Sequence, residues 1–264
     1  MSLTVLEAVT AVLDGRRPAI TVAHAENLPR GDEERRLRNA GLALYSPPLA
    51  VWRSHFPGVR LRISDGAVVR RETWVTPAGE ATRVVRTHVD RRVDCSLPYD
   101  ASTMRREVEV EPWVKGPADC VVAANWAEAE TFIADPVVVE HARYDYGTDA
   151  LIAVRGPVLP LAAAYGLCGC DALLWAQLQR EAPAALEGLV AALANRERRR
   201  LVAMTGCRGD VVWLGDDTEL PPVAPSVAAR YDLPVLAAAA QQCVADGLRW
   251  GLRVPDVGAY ARYL

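Results

Sequence analysis

The chain reads as an α/β protein of (β/α)-barrel type with an N-terminal α+β elaboration, and three observations lead there. After Lys115-Gly-Pro117, apolar strands alternate with helical stretches, the pattern of parallel βα units. The run Asp210-Val-Val-Trp-Leu-Gly-Asp-Asp217 is an apolar strand ending in paired carboxylates, and barrel enzymes carry their chemistry at strand C-termini. From Val59 to about Thr87 the apolar period is two, which calls for antiparallel strands. The expected division is residues 1–115, an α+β segment with a small antiparallel sheet, and residues 116–264, a partial (β/α) barrel.

In chain order, Thr4-Val-Leu-Glu7 is a capping-box pattern ahead of Leu6, Val9, Val12 and Leu13, so a short amphipathic helix is expected to stop at Asp14-Gly15. Ala19-Ile-Thr-Val-Ala23 reads as a buried strand, and Asp32 to Asn39 as a charged helix ending near Gly41. Val59, Leu61 and Ile63 then alternate with arginines, and Asp65-Gly66 and Pro77-Ala-Gly-Glu80 mark turns of a meander. A further strand is expected around Val108 to Trp113. Asp135-Pro136 supplies a cap and first-turn proline for a helix ending at Tyr146-Gly147. The clear strands beyond it are Ala150-Leu-Ile-Ala-Val154 and Val211 to Leu214, separated by helices near 157–165, 171–180 and 183–203. Asn195-Arg-Glu-Arg-Arg-Arg200 reads as a solvated helix end, where cations suit the dipole.

Composition narrows the class. With 264 residues and 51% apolar content the chain can bury a substantial core. No uninterrupted apolar run reaches the roughly 20 residues of a bilayer-spanning helix, and Met1-Ser-Leu-Thr-Val-Leu-Glu7 lacks a basic region leading into an apolar signal core. A soluble, cytoplasmic protein without membrane contact is expected. A formal charge of −3 argues against a nucleic-acid binder, although Lys115 is the only lysine among 30 basic residues. The six cysteines show no small-scaffold spacing and are read as reduced thiols, with Cys168-Gly-Cys170 the one pair close enough to share a soft metal.

Several polar groups fall at expected strand ends. Arg155 directly follows Ala150–Val154, so its guanidinium fork is expected at the same face as Asp217 and is a candidate carboxylate clamp. Asp216 and Asp217 are candidates for acid–base work, since adjacent carboxylates raise one another's pKa. His24, Glu26 and Asn27 put an imidazole, a carboxylate and an amide at the end of the first strand as candidate substrate contacts. No metal ligand set is assigned.

Thr76-Pro-Ala-Gly-Glu80, Gly156-Pro-Val-Leu-Pro-Leu-Ala-Ala-Ala-Tyr165 with Gly169, and the stretch from Asp217 through Pro225 to Pro234 together resemble the uroporphyrinogen decarboxylase superfamily. The resemblance implies a TIM barrel and an enzyme lineage that includes the porphyrinogen decarboxylase and cobalamin-linked methyltransferases. The Thr-Pro-x-Gly turn and Trp113-Val-Lys-Gly-Pro117 look more like the methyltransferase-like branch. Tyr165 is thereby implied as a catalytic and substrate-contacting residue, and Asp216 and Asp217 as pocket-lining groups. Zinc, a corrinoid and a separate corrinoid protein are the cofactors and partner that the branch implies; a tetrapyrrole-type substrate is what the decarboxylase implies.

The chain departs from the family in three places. The decarboxylase's Arg-Gln-Ala-Gly-Arg-Tyr motif is missing, no His-x-Cys zinc motif occurs, and the tail from Asp246 to Leu264 replaces further strand-helix units. The expectation is therefore methyl transfer between a cobamide and a thiol or small substrate, in a C-terminally truncated barrel. Porphyrinogen decarboxylation and a non-catalytic binding or assembly subunit are the alternatives. An open half-barrel exposes strand edges, so self-association is expected.

Overall fold

A computed structural model describes residues 10–11, 14–16, 23–26, 32, 36, 42–46, 48–66, 68–90, 104–147, 150–215 and 220–252. Strands β1 (Ala23–Glu26), β2 (Leu42–Tyr45), β9 (Ala150–Leu151), β10 (Ala153–Arg155), β11 (Val211–Leu214) and β12 (Arg249–Leu252) all pair in parallel. They form two three-stranded sheets, β1-β2-β9 and β10-β11-β12. Ile152 separates β9 from β10, and there its N–H donates to the Asp210 carboxylate at 2.7 Å while its carbonyl accepts from Asp210 N at 2.9 Å. A parallel bridge from Leu49 to Val154 continues the β2 side across the break. The two sheets thus meet along one stretch of chain, and the strands run in sequence order. In a sequence-ordered parallel array, right-handed crossovers put the connecting helices on one face. Among the described residues the array is open and no sheet closes into a barrel.

Two readings change here. The first two parallel strands precede residue 116, so the (β/α) part begins in the N-terminal segment. Arg249–Leu252, within the tail that departs from the family pattern, continues the array as β12 beside β11.

The residues between β2 and β9 hold a second layer. Strands β4 (Arg60–Asp65), β5 (Val69–Thr76), β6 (Gly79–Asp90) and β7 (Met104–Glu111) make the expected antiparallel meander in the order β4-β5-β6-β7. At the β5–β6 turn, Thr76 Oγ1 donates to Gly79 O and accepts from Ala78 N, both at 3.1 Å, while Gly79 takes φ +129°, a region that disfavours side chains. Strand β3 (Trp52–His55) pairs antiparallel with β8 (Thr131–Ala134). Helix α1 (Pro117–Ala129) packs on β5 and β6. Trp113, Trp74 and Trp126 stack there with centroids 3.6 and 4.2 Å apart. One apolar cluster joins Trp74, Ala81 and Trp113 to Leu161, Leu189 and Leu193, so the core crosses the boundary expected at 115/116.

Further helices are α2 (Val137–Tyr146), α3 (Pro160–Leu167), α4 (Ala172–Glu181), α5 (Pro183–Met204) and α6 (Pro225–Ala245). Asp171 caps α4, accepting from Leu173 N at 2.8 Å and Leu174 N at 3.2 Å. Asp135 does not cap α2; its carboxylate takes the Arg53 guanidinium at 2.6 Å, a stronger charged partner, and ties β3 to the loop after β8. Among the described residues no single helix is long and apolar enough to cross a membrane.

Two predictions arise from the parallel array. A Cβ on Gly156 would meet Trp213 O and Leu214 Cδ2 at 2.7 Å, where β10 and β11 approach. Gly156→Ala is expected to cost about 1–3 kcal/mol in urea denaturation, from overpacking; a change within about 0.5 kcal/mol would contradict that approach. Asp14 accepts from Arg249 Nε at 2.7 Å and from Arg16 at 2.9 Å, tying an N-terminal segment to β12. The Arg249 hydrogen bond foremost, with that of Arg16, lowers its pKa from 3.8 to about 2. Because the folded value is the lower one, its contribution is present above pH 3.8 and lost as the pH falls toward 2. Asp14→Asn is expected to flatten the acid limb of the melting temperature in this window, and an unchanged limb would contradict the tie.

Candidate functional site

Parallel strands present their C-termini on one side, so the ends of β2, β10 and β11 share a rim. A cavity of about 580 Å³ opens there, lined by Pro48 and Ala50 after β2, Arg155 and Val158 at and beyond the end of β10, Trp213 of β11 and Gly215 directly after it. Trp52 and Ser54 of β3, Ala163 of α3 and Glu130 complete one wall; Arg196 and Arg200 of α5 form another. The volume suits a small organic ligand.

The cavity is built on a buried ionic network. Glu197 is 0% exposed, and its carboxylate takes Arg200 Nη1 at 2.7 Å, Arg196 Nη1 at 3.2 Å and the Val158 backbone N–H at 2.9 Å. Arg196 Nε also donates to the Glu130 carboxylate. Burial pushes the Glu197 carboxyl up and the Arg200 guanidinium down, and each is opposed by the other's charge. With two guanidinium groups and an amide donor on one carboxylate, the charged pair is the form the geometry fits. Aromatic faces hold both arginines: Arg196 lies over Trp126 at 4.8 Å, and Arg200 lies over Trp52 at 5.0 Å and Phe132 at 5.3 Å. Arg199 points to α1, donating to Ala127 O at 2.7 Å and Glu128 O at 3.2 Å at that helix's C-terminus.

The reading of Asn195–Arg200 as a solvated helix end is therefore corrected in part: Asn195 and Arg198 are exposed, but Glu197 and Arg200 are interior, and Arg196 and Arg199 anchor neighbouring elements. The signal was present in the spacing, because Leu186, Leu189, Val190, Leu193, Glu197, Arg200 and Met204 continue one buried helical stripe through two charged positions. Arg196, Glu197, Arg200, Glu130, Trp52 and Trp213 were not singled out from sequence.

The expected site residues are placed as follows. Arg155 is exposed at the rim and lines the cavity; among the described residues it has no ion pair, and its charge acts repulsively on Arg200. Asp216 and Asp217 directly follow Gly215, a lining residue, but lie outside the described residues, as does Asn27. His24 and Glu26 are on β1, with Glu26 at the same C-terminal side of the array. Tyr165 is 4% exposed on α3, edge-to-face with Trp175 at 5.5 Å, and is not among the cavity-lining residues. A second cavity of about 420 Å³ lies among α3, α4, α5 and α6, lined by Trp175, Leu186, Val227 and Tyr231, with no strand residue in its wall.

The described residues do not fit a zinc site. Among them no three His, Cys, Asp or Glu side chains converge as a ligand set. Burial pushes the Cys120 and Cys168 thiols up to about 11 and about 12, as for ordinary core thiols. Comparison with protein-family models, curated proteins and solved structures gives no match to this chain.

Proposed function

We propose that the chain is an enzyme-lineage protein of the uroporphyrinogen decarboxylase superfamily, of the methyltransferase-like branch, that holds a carboxylate-bearing small molecule at the mouth of its parallel strands. The observation that carries this reading is the sequence-ordered parallel array with a cavity at its C-terminal ends, entered by Arg155 and bordered by the segment leading into Asp216 and Asp217. In this reading Arg155 clamps the carboxylate, and Asp216 or Asp217 moves a proton at the reacting atom. Methyl transfer would draw on a corrinoid supplied by a partner protein, and self-association accompanies the open edges. The three lining arginines favour decarboxylation of a porphyrinogen as the second reading. Against it, two carboxylates already engage Arg196 and Arg200, so among the described lining arginines only Arg155 is without a carboxylate partner for a substrate with many carboxylates.

The test is a pair of assays on the purified chain: loss of methylcobalamin absorbance with a thiol acceptor, and coproporphyrinogen formation from uroporphyrinogen. Methyl transfer that falls at least about tenfold in Asp217→Asn is expected, the size typical of losing a proton-transfer group. Coproporphyrinogen formation would replace the first reading with the second, and inactivity in both would favour a non-catalytic binding subunit.

A further inference from the structure

We propose that the cavity among α3, α4, α5 and α6 is a second binding site, for a small neutral apolar molecule whose one hydrogen-bond acceptor is taken by the Nε1–H of Trp175. The site is separate from the strand mouth and does not depend on the reading given to that mouth. At about 420 Å³ it suits a small organic molecule. Its buried walls are Leu161 of α3, Trp175 of α4, and Leu186 and Val190 of α5, between 1% and 6% exposed. Gln179, Glu187, Ser226 and Arg230 are exposed and form the rim. There Arg230 meets Glu187 at 3.7 Å and lies over the half-buried Tyr231 ring at 5.0 Å.

The interior holds a donor that lacks a partner. The Trp175 indole is 1% exposed, and its Nε1 has no hydrogen-bond partner among the described residues. The edge-to-face contact with Tyr165 offers at most a weak π acceptor. A buried donor without an acceptor is costly, so an oxygen brought into the cavity gains where the fold alone loses. Water suits the place poorly, because a buried water needs several polar partners and the buried walls offer this one donor. An ion suits it poorly too, since it would leave water for walls of leucine, valine and indole, while Glu187 and Arg230 pair with each other at the exposed rim. A ketone, ester or ether on an apolar body meets both conditions.

Four probes with one body test this: cyclooctanone, cyclooctane, cyclooctanecarboxylate and cyclooctylammonium. Each is titrated into the full chain, isotope-labelled in its indoles and read by NMR, with the Trp175 resonance assigned from its absence in Trp175→Phe. Cyclooctanone is expected to bind at one site, at least about fivefold tighter than cyclooctane, the ratio that a single hydrogen bond gives. It should bind at least about tenfold tighter than either ion. The Trp175 indole proton should move downfield with the ketone and not with the hydrocarbon, and in Trp175→Phe the preference for ketone over hydrocarbon should disappear. Val223→Trp, at a half-buried lining position, should block both ligands and leave the melting temperature unchanged. Equal affinity for ketone and hydrocarbon, or a Trp175 proton that ignores bound ketone, would overturn the acceptor assignment. An ion bound more tightly than the ketone would overturn the neutral class. Absence of binding by all four, or binding that survives Val223→Trp, would overturn the site, and none of these outcomes touches Arg155 or Asp217 at the strand mouth.

Discussion

Glu197→Ala is expected to lower stability by about 3–5 kcal/mol, because it strands buried charge rather than merely deleting a contact. The carboxylate is fully enclosed and is the shared counter-charge of Arg196 and Arg200; without it Arg200, 5% exposed, has no carboxylate hydrogen-bonded to it among the described residues. The Val158 N–H would lose its acceptor as well, and that residue lines the cavity. Glu197→Gln keeps a carbonyl for Val158 and should fall between wild type and alanine. A double change, Glu197→Leu with Arg200→Met, removes both charges and is expected to recover part of the loss, since apolar replacement of a buried pair is often close to neutral. Urea denaturation read by far-UV circular dichroism measures all three. An alanine variant within about 1 kcal/mol of wild type would contradict the buried network.

Trp74→Ala is expected to cost about 3–5 kcal/mol, as a truncation of the largest side-chain class in a core. Trp74 is 7% exposed and lies between Trp113 and Trp126 with interplanar angles of 5° and 9°. It projects from β5, whereas Trp126 belongs to α1, so the stack fastens the antiparallel sheet to the helices. The stacked indoles should give an exciton couplet in the far-ultraviolet dichroism that disappears in this variant. Phe56, stacked on Trp126 at 5.7 Å at the end of the series, is half-buried, and Phe56→Leu should cost less than about 1.5 kcal/mol, within the range of a single aromatic pair. Equal losses in the two variants would contradict the central place of Trp74.

Local periodicity made much of the fold legible. The meander, the helices near 157–203 and the strands at 150–154 and 211–214 follow from spacing and turn residues that act over a few positions. The pairing of β2 with β9 does not, because about a hundred residues separate the two strands and parallel partners carry no turn to mark them. For the same reason β12 escaped notice: Arg249-Trp-Gly-Leu252 is short and alternates poorly, and becomes a strand only beside β11. The place of Arg155 at the cavity rim was legible because it stands at the end of an apolar strand. The α5 network was not, because a run of charges ordinarily marks a solvated face; only its register with Leu186, Leu193 and Met204 reveals that two of those charges are interior. Tyr165 shows the converse, since its place in a family-like segment carried a functional expectation, while its ring packs against Trp175 in the helical core.

The most direct test of the central claim, that the strand mouth is the ligand site, is a crystal soaked with 4-bromobenzoate and read at the bromine absorption edge. The expected result is one anomalous peak in the cavity at the ends of β10 and β11, with the carboxylate within hydrogen-bonding distance of Arg155. A sole peak in the α3–α6 cavity beside Trp175, or a mouth left empty at saturating ligand, would contradict it.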